Sequence, residues 1–542
     1  MNLVLAQLNP SVGDIEQNKN KIIEVLKGSK SNELTIFPEL FIYGYHNFDM
    51  LKKFPFIFSQ IENALEEIKS LNKPVLVGYP ELIDNEIKSS FALIDNEIKK
   101  VKTFSFNNKN YEILSIEEVK NPDFKTNADI LICPILSISK TNKEYFRNNL
   151  FKNLAIKQNK KVIFLNQIGA IDEFIYDGAS RLYDENGEII ALAKSFEEDI
   201  LNLANPKIEK YPSDFNLTTN LNNFSLNYEN DLERTYKALI LSIKDYFSKN
   251  GFTQAVLGLS GGLDSTICAV LLADALGAKN VLGVSMPSKL TSNESKFDGK
   301  TLADNLGINY IEAPIKAYHD AFSNGFDEIF TETSKYWCNR YTSSFTQDNI
   351  QARSRAMILW GIANEYGSTL SIATSDKSET YMGYATINGD MSGGFAPILD
   401  VTKTKLFALA RWMNKNRPIK NAIPENIILK PPGAELALDP NTGKTLKAED
   451  ALMPYEFMDE VIWVIENTNQ SIDNMMQKEF LYEKKNILNI ETKKLWLEKF
   501  FKRMSSSIYK WYISAPSPIV DSNSINKAIY NQPIVSKINY LK

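Results

Sequence analysis

The chain has 542 residues, of which 44% are hydrophobic and 23% are charged, a balance that is typical of globular proteins and excludes a disordered or fibrous chain. The formal net charge of −5 argues against a protein that binds nucleic acid through bulk charge, and three cysteines without CxxC spacing exclude a cysteine-based zinc cluster. Since the first residues lack the pattern of a signal peptide and no stretch approaches the roughly 18 apolar residues of a membrane span, we expect a cytoplasmic protein with no membrane or nucleic-acid partner.

Short apolar runs alternate with amphipathic stretches over residues 1–205, which we predict to form the first domain. Asp14 is placed to cap a helix that extends through Lys27, and the apolar spacing of residues 144–158 predicts a second helix. Such alternation predicts an α/β sandwich and leaves antiparallel strand pairs open. The predicted strands are residues 3–7, 34–37, 74–77, 128–133 and 162–166.

The composition changes at residues 206–230, which are rich in Asn, Ser, Thr and Asp and are predicted to form an exposed linker. Residues 231–542 are predicted to form a second domain, in which strands alternate with loops and helices. This order predicts a doubly wound parallel sheet, which would bind its ligand at the carboxyl ends of the strands. The predicted strands are residues 255–259, 281–285 and 369–373, the predicted helices are residues 231–250, 265–276 and 350–366, and residues 455–512 are predicted to be mostly helical.

The segment LGLSGGLDST, residues 257–266, joins a predicted buried strand to a predicted helix. Its two glycines allow a tight turn whose N–H groups can approach phosphate oxygens, and its hydroxyls and the helix N-terminus supply further donors to an anion. The Asp264 carboxylate suits Mg²⁺ instead. The alternative is an ordinary strand–helix turn that contains glycine; neither GxxxxGK[ST] nor GxGxxG is present. The residues of this loop that would contact the anion or its metal ion are Ser260, Gly261, Gly262, Asp264, Ser265 and Thr266, and the resemblance described next implies that the ligand is ATP.

This loop resembles the pyrophosphate loop of the ATP pyrophosphatase superfamily, and the resemblance implies an adenine nucleotide α-hydrolase-like fold and the adenylylation of a carboxylate or carbonyl oxygen by ATP. The downstream segments resemble the NAD synthetase family in particular, and one of them carries its KSE, GY-T and GDM-GG elements in order. The resemblance covers about residue 231 to the C-terminus and implies an ATP-dependent ligase that forms an amide. The segments that carry it are residues 349–367, 373–406, 430–437 and 453–462.

The resemblance also implies roles for single residues. Asp264 and Glu379 would hold Mg²⁺ against the phosphates of ATP. Lys403 and Lys377 are candidates to neutralise phosphate or developing negative charge, and Thr374 would face ATP from a strand end. The alternatives are solvated lysines and carboxylates at the surface or at helix caps. The implied catalytic residues are Asp264, Lys403 and Asp390, and the implied substrate contacts are Asn349, Arg353, Glu379, Lys377 and Asp390.

Two departures from the family pattern bear on the ligands. The family's TGNKSE reads TSDKSE here, so that Ser375 and Asp376 replace Gly and Asn, and Asp376 adds a charge beside the predicted site. Lys289, a predicted ATP contact, stands where an arginine is expected, so that a point charge replaces a planar fork. The first change leaves open whether the substrate is nicotinic acid adenine dinucleotide or nicotinic acid mononucleotide.

The first domain resembles the nitrilase-like glutaminase domain that is attached to many NAD synthetases. Residues 37–45 match the segment with the family's catalytic glutamate, here Glu39, and residues 164–180 match its NQVGGQDE…FDGGS region. The resemblance implies a nitrilase-like α/β sandwich. An amidase of this kind requires a glutamate, a lysine and a cysteine nucleophile.

The other two amidase residues are not found. Ile116, in SIEE, occupies the cysteine position, and the lysine segment is shortened so that neither Lys102 nor Lys109 is in register. Cys133, one strand later, is predicted to be a buried apolar residue. We therefore predict an inactive amidase domain, and we hypothesise that the chain retains it for its fold or for an oligomer interface.

Together the resemblances predict an NAD synthetase that adenylylates nicotinic acid adenine dinucleotide with MgATP, releases pyrophosphate, and then forms the amide of NAD with free ammonia. The expected state is a homo-oligomer, as the family implies. Four alternatives remain open: a glutamine-dependent synthetase with an unrecognised nucleophile, amidation of the mononucleotide, a tRNA-modifying ATP pyrophosphatase, and a non-catalytic nucleotide-binding scaffold.

Overall fold

The computed structural model describes residues 1–45, 47–205, 229–337, 345–431, 433, 448–468, 472–521 and 524. The chain divides into two compact units, Met1–Thr219 and Asn220–Lys542. The boundary falls inside the predicted linker, of which residues 206–228 lie outside the described residues, as do most of residues 430–437. A search of the described helices finds none that is long and apolar enough to cross a membrane.

The first unit contains mixed sheets and a few helices. Its described strands are β1 (Leu3–Gln7), β2 (Leu34–Ile36), β3 (Val75–Ile83), β4 (Glu86–Ile94), β5 (Ile98–Lys100), β6 (Thr103–Phe106), β7 (Lys109–Ile113), β8 (Ile130–Cys133), β9 (Lys161–Phe164), β10 (Ile168–Ile171), β11 (Phe174–Asp177), β12 (Arg181–Tyr183), β13 (Ile189–Leu192) and β14 (Asp199–Asn202). Its described helices are α1 (Ile15–Gly28), α2 (Asp49–Lys53), α3 (Phe56–Lys69), α4 (Ile116–Lys120) and α5 (Lys143–Gln158).

The strands of this unit form two larger sheets. One has the order β14-β1-β2-β3-β4-β5 and the other has the order β13-β12-β9-β8-β7-β6, while β10 pairs with β11. Within the first sheet the neighbouring strands β1, β2 and β3 are parallel, and within the second sheet the neighbouring strands β7, β8 and β9 are parallel. The pairs at the edges are antiparallel, so the antiparallel pairing that the sequence left open is present.

The side chains of each central strand alternate between two cores. Leu76 packs between the two sheets with Ile132 of the second sheet, whereas Val75 and Val77 pack on the outer side, where α1 and α3 lie. The second sheet is covered in the same way by α5, through Phe151. Because both faces of these strands are buried, their sequences are nearly continuous apolar runs, and the layers form an α–β–β–α sandwich.

The predicted elements of the first unit are present with shifts of one or two residues at their ends, except that the strand predicted at residues 74–77 continues to Ile83. The Asp14 carboxylate accepts a hydrogen bond from the Gln17 N–H at 3.0 Å, so it caps α1 as predicted. The strand predicted at residues 162–166 ends at Phe164, because the Asn166 side chain bonds the backbone of Ser137.

The second unit contains a parallel sheet and many helices. Its described strands are β15 (Gln254–Gly258), β16 (Val281–Ser285), β17 (Asn309–Glu312) and β18 (Thr369–Ile372). Its described helices are α6 (Glu229–Lys249), α7 (Leu263–Leu276), α8 (Asn293–Leu306), α9 (Lys316–Thr333), α10 (Phe345–Glu365), α11 (Lys377–Tyr381), α12 (Lys403–Asn416), α13 (Glu425–Leu429), α14 (Ala448–Ala451), α15 (Tyr455–Asn467), α16 (Ile472–Gln477), α17 (Leu481–Lys485) and α18 (Ile490–Trp511), with a short 3-10 helix at Ala278–Asn280.

The sheet of the second unit has the order β17-β16-β15-β18, and its neighbouring strands are parallel. The chain moves outward from β15 to β17 in one direction and then returns to place β18 on the other side of β15. A doubly wound sheet has its binding crevice where the direction of winding reverses, at the carboxyl ends of the strands. The predicted fold therefore places the candidate site at the ends of β15 and β18.

Helices α15 and α18 build a second core beside this sheet, and residues 455–512 are mostly helical, as predicted. Tyr381 and Trp511 are buried in that core with ring centroids 4.9 Å apart. The Trp511 indole also donates a hydrogen bond to the Thr380 carbonyl at 2.8 Å. The end of α18 thus packs directly on the short helix α11.

Candidate active site

The loop between β15 and α7 depends on glycine at position 261. Gly261 has a φ of +78°, in the left-handed region, and a Cβ there would lie 2.2 Å from the Ser295 carbonyl oxygen. A side chain would therefore be both strained and in collision with backbone. Helix α7 begins at Leu263, near the position predicted from the sequence, with Gly262 as its N-cap.

The hydroxyls of this loop are held close to the helix N-terminus. The Gly262 N–H donates to Ser260 Oγ at 3.2 Å, and Ser260 Oγ lies 3.1 Å from Ser265 Oγ. No side chain caps α7, so the N–H groups of its first turn are open to an anion. Thr266 is fully buried in the first turn of α7, where its hydroxyl has no hydrogen-bond partner among the described residues.

Three carboxylates meet at the ends of β15 and β18. Asp264, Asp376 and Glu379 each place an oxygen within 4.8 Å of the others. Asp264 lies in the first turn of α7, and the other two lie at the start of α11, where Asp376 accepts a hydrogen bond from the Glu379 N–H at 2.8 Å. Asp264 and Glu379 are predicted from the sequence to bind one metal ion, and the structure brings these two carboxylates together.

Lys403 lies in the centre of this cluster. Its Nζ is 2.7 Å from both oxygens of Asp264, 2.7 Å from Asp376 Oδ2 and 3.0 Å from Glu379 Oε1. Lys403 is 1% exposed and is the first residue of α12. One ammonium group thus neutralises part of the charge of three carboxylates.

Burial and charge shift the protonation of these groups. Burial raises the pKa of the Asp264 carboxyl to about 6, against the attraction of Lys403. Burial also raises the pKa of Asp376. For Lys403, burial lowers the pKa, but attraction to the carboxylates outweighs it, so its pKa is raised and the ammonium stays charged.

The oxygens of these three carboxylates could hold a hard divalent cation such as Mg²⁺, which prefers oxygen ligands. Such an ion would share them with Lys403 or displace its ammonium group. Tyr455 supports the cluster from α15, because its hydroxyl donates to Glu379 Oε1 at 2.9 Å and its ring centroid lies 5.3 Å from Lys403 Nζ.

Sequence reasoning gave neither Asp376 nor Tyr455 a place in this cluster. The sequence indicates that Asp376 adds a charge beside the predicted site but gives it no role, and Tyr455 is the third residue of MPYEFMDEVI, a segment that resembles the family and has no predicted role. The sequence signal that could have placed Asp376 in the cluster is its charge, which stands next to Lys377 and three positions before Glu379.

Lys377 is not brought to the carboxylate cluster. It is fully buried, and its Nζ lies 2.9 Å from Glu466, 3.3 Å from Asp521 and 3.4 Å from Asp400. The expected contact of this ammonium with phosphate or substrate does not fit this placement, because three other carboxylates surround it and none of its surface reaches solvent. The placement instead favours a structural role.

Three of the five residues expected to contact the substrate, Asn349, Arg353 and Asp390, converge on one turn. The Thr386 hydroxyl donates to Asn349 Oδ1 at 2.8 Å, and the Thr386 N–H donates to Asp390 Oδ1 at 2.7 Å. Arg353, one helical turn after Asn349 on α10, donates from Nε to the Ile387 carbonyl at 3.2 Å. These side chains therefore share the turn of residues 386–390.

The two remaining expected ATP contacts lie after strand ends. Thr374 is half-buried and follows β18 by two residues, and Lys289 is exposed and follows β16 by four. Both positions agree with a ligand at the carboxyl ends of the parallel strands. Neither is joined to the carboxylate cluster by a described contact.

In the first unit, Glu39 is largely buried in a turn. Burial raises the pKa of its carboxyl, against hydrogen bonds from Ser89 and the Leu136 N–H. A close approach of backbone fixes this turn, because a Cβ on Gly78 would lie 2.5 Å from the Leu40 nitrogen. Glu39 thus keeps a defined position.

Among the described residues, the positions considered for the amidase nucleophile and lysine do not supply those groups. Ile116 is the first residue of α4 and packs against the core under α5. Lys102 is paired with Glu118. Cys133 is fully buried in β8, and burial raises the pKa of its thiol far above the usual range, which disfavours a thiolate.

Comparisons with known proteins agree with this architecture. The NAD synthase family model matches residues 235–505. The glutamine-dependent NAD(+) synthetase of Aquifex aeolicus is 34% identical over 88% of this chain and 91% of that protein, and that of Thermotoga maritima is 32% identical over 90% and 92%.

Two solved structures share the fold along the whole chain. The glutamine-dependent NAD+ synthetase from Cytophaga hutchinsonii has a TM-score of 0.78, with 20% identity over 99% of this chain and 97% of that chain. The Acinetobacter baumannii enzyme in complex with adenosine diphosphate has a TM-score of 0.69, with 24% identity over 98% of both chains. The predicted combination of a nitrilase-like sandwich with a doubly wound synthetase sheet is confirmed.

Proposed function

The chain belongs to the NAD synthetase family, and we propose that it amidates nicotinic acid adenine dinucleotide to NAD with MgATP and draws its nitrogen from free ammonia. The arrangement of Lys403 among Asp264, Asp376 and Glu379, next to an uncapped helix N-terminus, carries the ligase part of this proposal. The absence of a nucleophilic side chain at Ile116 carries the ammonia part.

The first step transfers an adenylyl group. A carboxylate oxygen of the substrate attacks the α-phosphorus of ATP, the bond to the β-phosphate oxygen breaks, and pyrophosphate leaves. The N–H groups at the start of α7 would bind the phosphates, since they are not capped by a side chain. Asp264, Asp376 and Glu379 would hold Mg²⁺, which draws negative charge from the leaving pyrophosphate when it is bound. ATP as co-substrate agrees with the bound adenosine diphosphate of the Acinetobacter baumannii enzyme.

In the second step ammonia attacks the acyl carbon of the adenylylated intermediate, AMP leaves, and the nitrogen gives up a proton to form the carboxamide. No covalent bond to the enzyme is required, so the residues act by positioning and by stabilising charge. Asn349, Arg353 and Asp390 would fix the substrate through the turn of residues 386–390.

The nitrogen source has a second candidate, because the relatives are named as glutamine-dependent enzymes. Glutamine use would require a nucleophile other than the residue at position 116, and Cys133 is the candidate nucleophile nearest to it in sequence. Its full burial and its raised pKa speak against that role. The names of the relatives favour glutamine, and the described side chains around Glu39 favour ammonia.

The test is an assay of the purified chain with MgATP and nicotinic acid adenine dinucleotide, with ammonium or ammonia-depleted glutamine offered in parallel. NAD from ammonium alone supports the proposal. NAD from glutamine refutes ammonia dependence, and loss of that activity in Cys133→Ala would identify the nucleophile. No product from either donor refutes the dinucleotide substrate, and nicotinic acid mononucleotide is then tested in the same way. Asp264→Asn is the inactive control.

We also expect the active enzyme to be a homo-oligomer in the cytoplasm, as the family resemblance implies. Light scattering of the purified chain would measure its mass in solution. A monomer with full activity would contradict this expectation.

A further inference from the structure

The described C-terminal residues form a packed segment. This segment comprises residues 516–521. Its Ile519 and Val520 side chains are buried, with 0% and 5% of their surface exposed. The Pro516 carbonyl accepts a hydrogen bond from the Ala396 N–H at 2.9 Å. The segment lies beyond residue 505, where the match to the family model ends.

Asp400 joins this segment to Lys377. Its Oδ2 accepts hydrogen bonds from the backbone N–H groups of Val520 and Asp521, both at 2.9 Å, while its Oδ1 lies 3.4 Å from Lys377 Nζ. Asp521 also places its own carboxylate 3.3 Å from the same ammonium. Two of the three carboxylates around Lys377 are therefore held or supplied by the segment.

Lys377 is also close in sequence to two residues of the carboxylate cluster. It follows Asp376, whose carboxylate contacts Lys403, and precedes Glu379 by two residues on α11. Its own N–H donates to the Val401 carbonyl at 3.1 Å. Since Asp376 is the N-cap of the five-residue helix α11 and Glu379 lies within it, a shift of the Lys377 backbone would move these two carboxylates of the cluster with it.

From this connection we infer that the segment of residues 516–521 is a positioning element of the active site, which acts through Lys377 and Asp400 and has no contact with substrate. It deepens the function proposed above and rests on it. A buried ammonium that loses a carboxylate partner moves toward its other partners or recruits water, because an uncompensated buried charge is costly. A displacement of about 1 Å at catalytic groups can lower a rate about 100-fold.

The test compares Asp521→Asn with wild type and with Glu491→Gln, a matched loss of one charge at an exposed position on α18. We expect Asp521→Asn to lower kcat about 10- to 100-fold with a smaller change in KM for the dinucleotide, and to require a higher Mg²⁺ concentration for half-maximal rate. Asp521→Glu, which restores the charge, should recover most of the loss. Should Asp521→Asn fail to fold, Asp521→Ser takes its place.

Calorimetric binding of MgATP without any acceptor gives a readout that does not depend on the reaction. If wild type makes no product from either acid but binds MgATP, and Asp521→Asn weakens that binding, the proposed function fails and this inference stands. If Asp521→Asn matches Glu491→Gln in kcat, Mg²⁺ requirement and MgATP binding, the inference is overturned. A lower Tm with unchanged kinetics overturns it as well, since the segment would then be only structural.

Discussion

Replacing Lys403 by methionine should remove the internal counter-ion of three carboxylates while keeping much of the side-chain volume. At 2.7 Å and an effective dielectric constant of about 20, each pair of unit charges attracts by roughly 6 kcal/mol, most of which offsets the cost of burial and the mutual repulsion of the carboxylates. Breaking a buried ion pair typically costs about 3–5 kcal/mol. Asp264 and Glu379 retain 24% and 19% exposure, so we expect roughly 3 kcal/mol.

The assay is thermal unfolding of the full chain with and without Mg²⁺. Without metal, Lys403→Met should lower the Tm of the synthetase unit by roughly 4–5 °C. Because the carboxylates are then free to bind a cation, Mg²⁺ at about 100 times its Kd should return about 2.7 kcal/mol, and the variant should gain more from Mg²⁺ than wild type does. Lys244→Met, an exposed lysine on α6, is the matched control.

Two results would refute this reasoning. One is a metal-free Tm of Lys403→Met equal to that of Lys244→Met, which would mean that the carboxylates do not depend on the ammonium. The other is an equal response of variant and wild type to Mg²⁺, which would mean that the cation binds elsewhere.

Three further changes have clear expected outcomes. Gly261→Ala should abolish synthetase activity and lower stability by at least about 1–2 kcal/mol, because its φ is +78° and the new Cβ meets the Ser295 carbonyl; wild-type activity would contradict this. Ile116→Cys should not create glutaminase activity, because an amidase of this kind also requires a lysine and Lys102 is paired with Glu118. A glutamyl thioester detected by mass spectrometry would contradict this. The Glu39 carboxyl has a raised pKa in the folded state, so its ionisation destabilises the fold as pH rises through that pKa; Glu39→Gln should therefore raise the Tm at pH 7 and lose this advantage below its usual pKa, and a constant difference between pH 4 and pH 8 would contradict the assignment.

The fold was predictable because its signals are local. The buried strands read as apolar runs, Asp14 precedes an amphipathic helix, and the turn at Gly261 requires glycine. Strand β17, in contrast, escaped prediction, because its residues at the sheet edge are mostly exposed and carry no apolar run.

The site was predictable where a motif fixed a residue's position and not where long-range packing did. The hydrogen bond between Tyr455 and Glu379 joins residues 76 positions apart, which no local pattern indicates. Lys377 and Glu379 stand in the same KSE element, yet they point to different carboxylate environments. Successive helical residues are rotated by about 100°, so nearness in sequence did not imply a shared site.

The hydrogen bond between the Trp511 indole and the Thr380 carbonyl bears on where a shortened fragment of this chain can end. A fragment that ends at residue 505, the limit of the family match, would lack this indole together with the whole of residues 516–521. Such a fragment would therefore lose the backbone and carboxylate contacts that residues 520 and 521 make with Asp400 and Lys377.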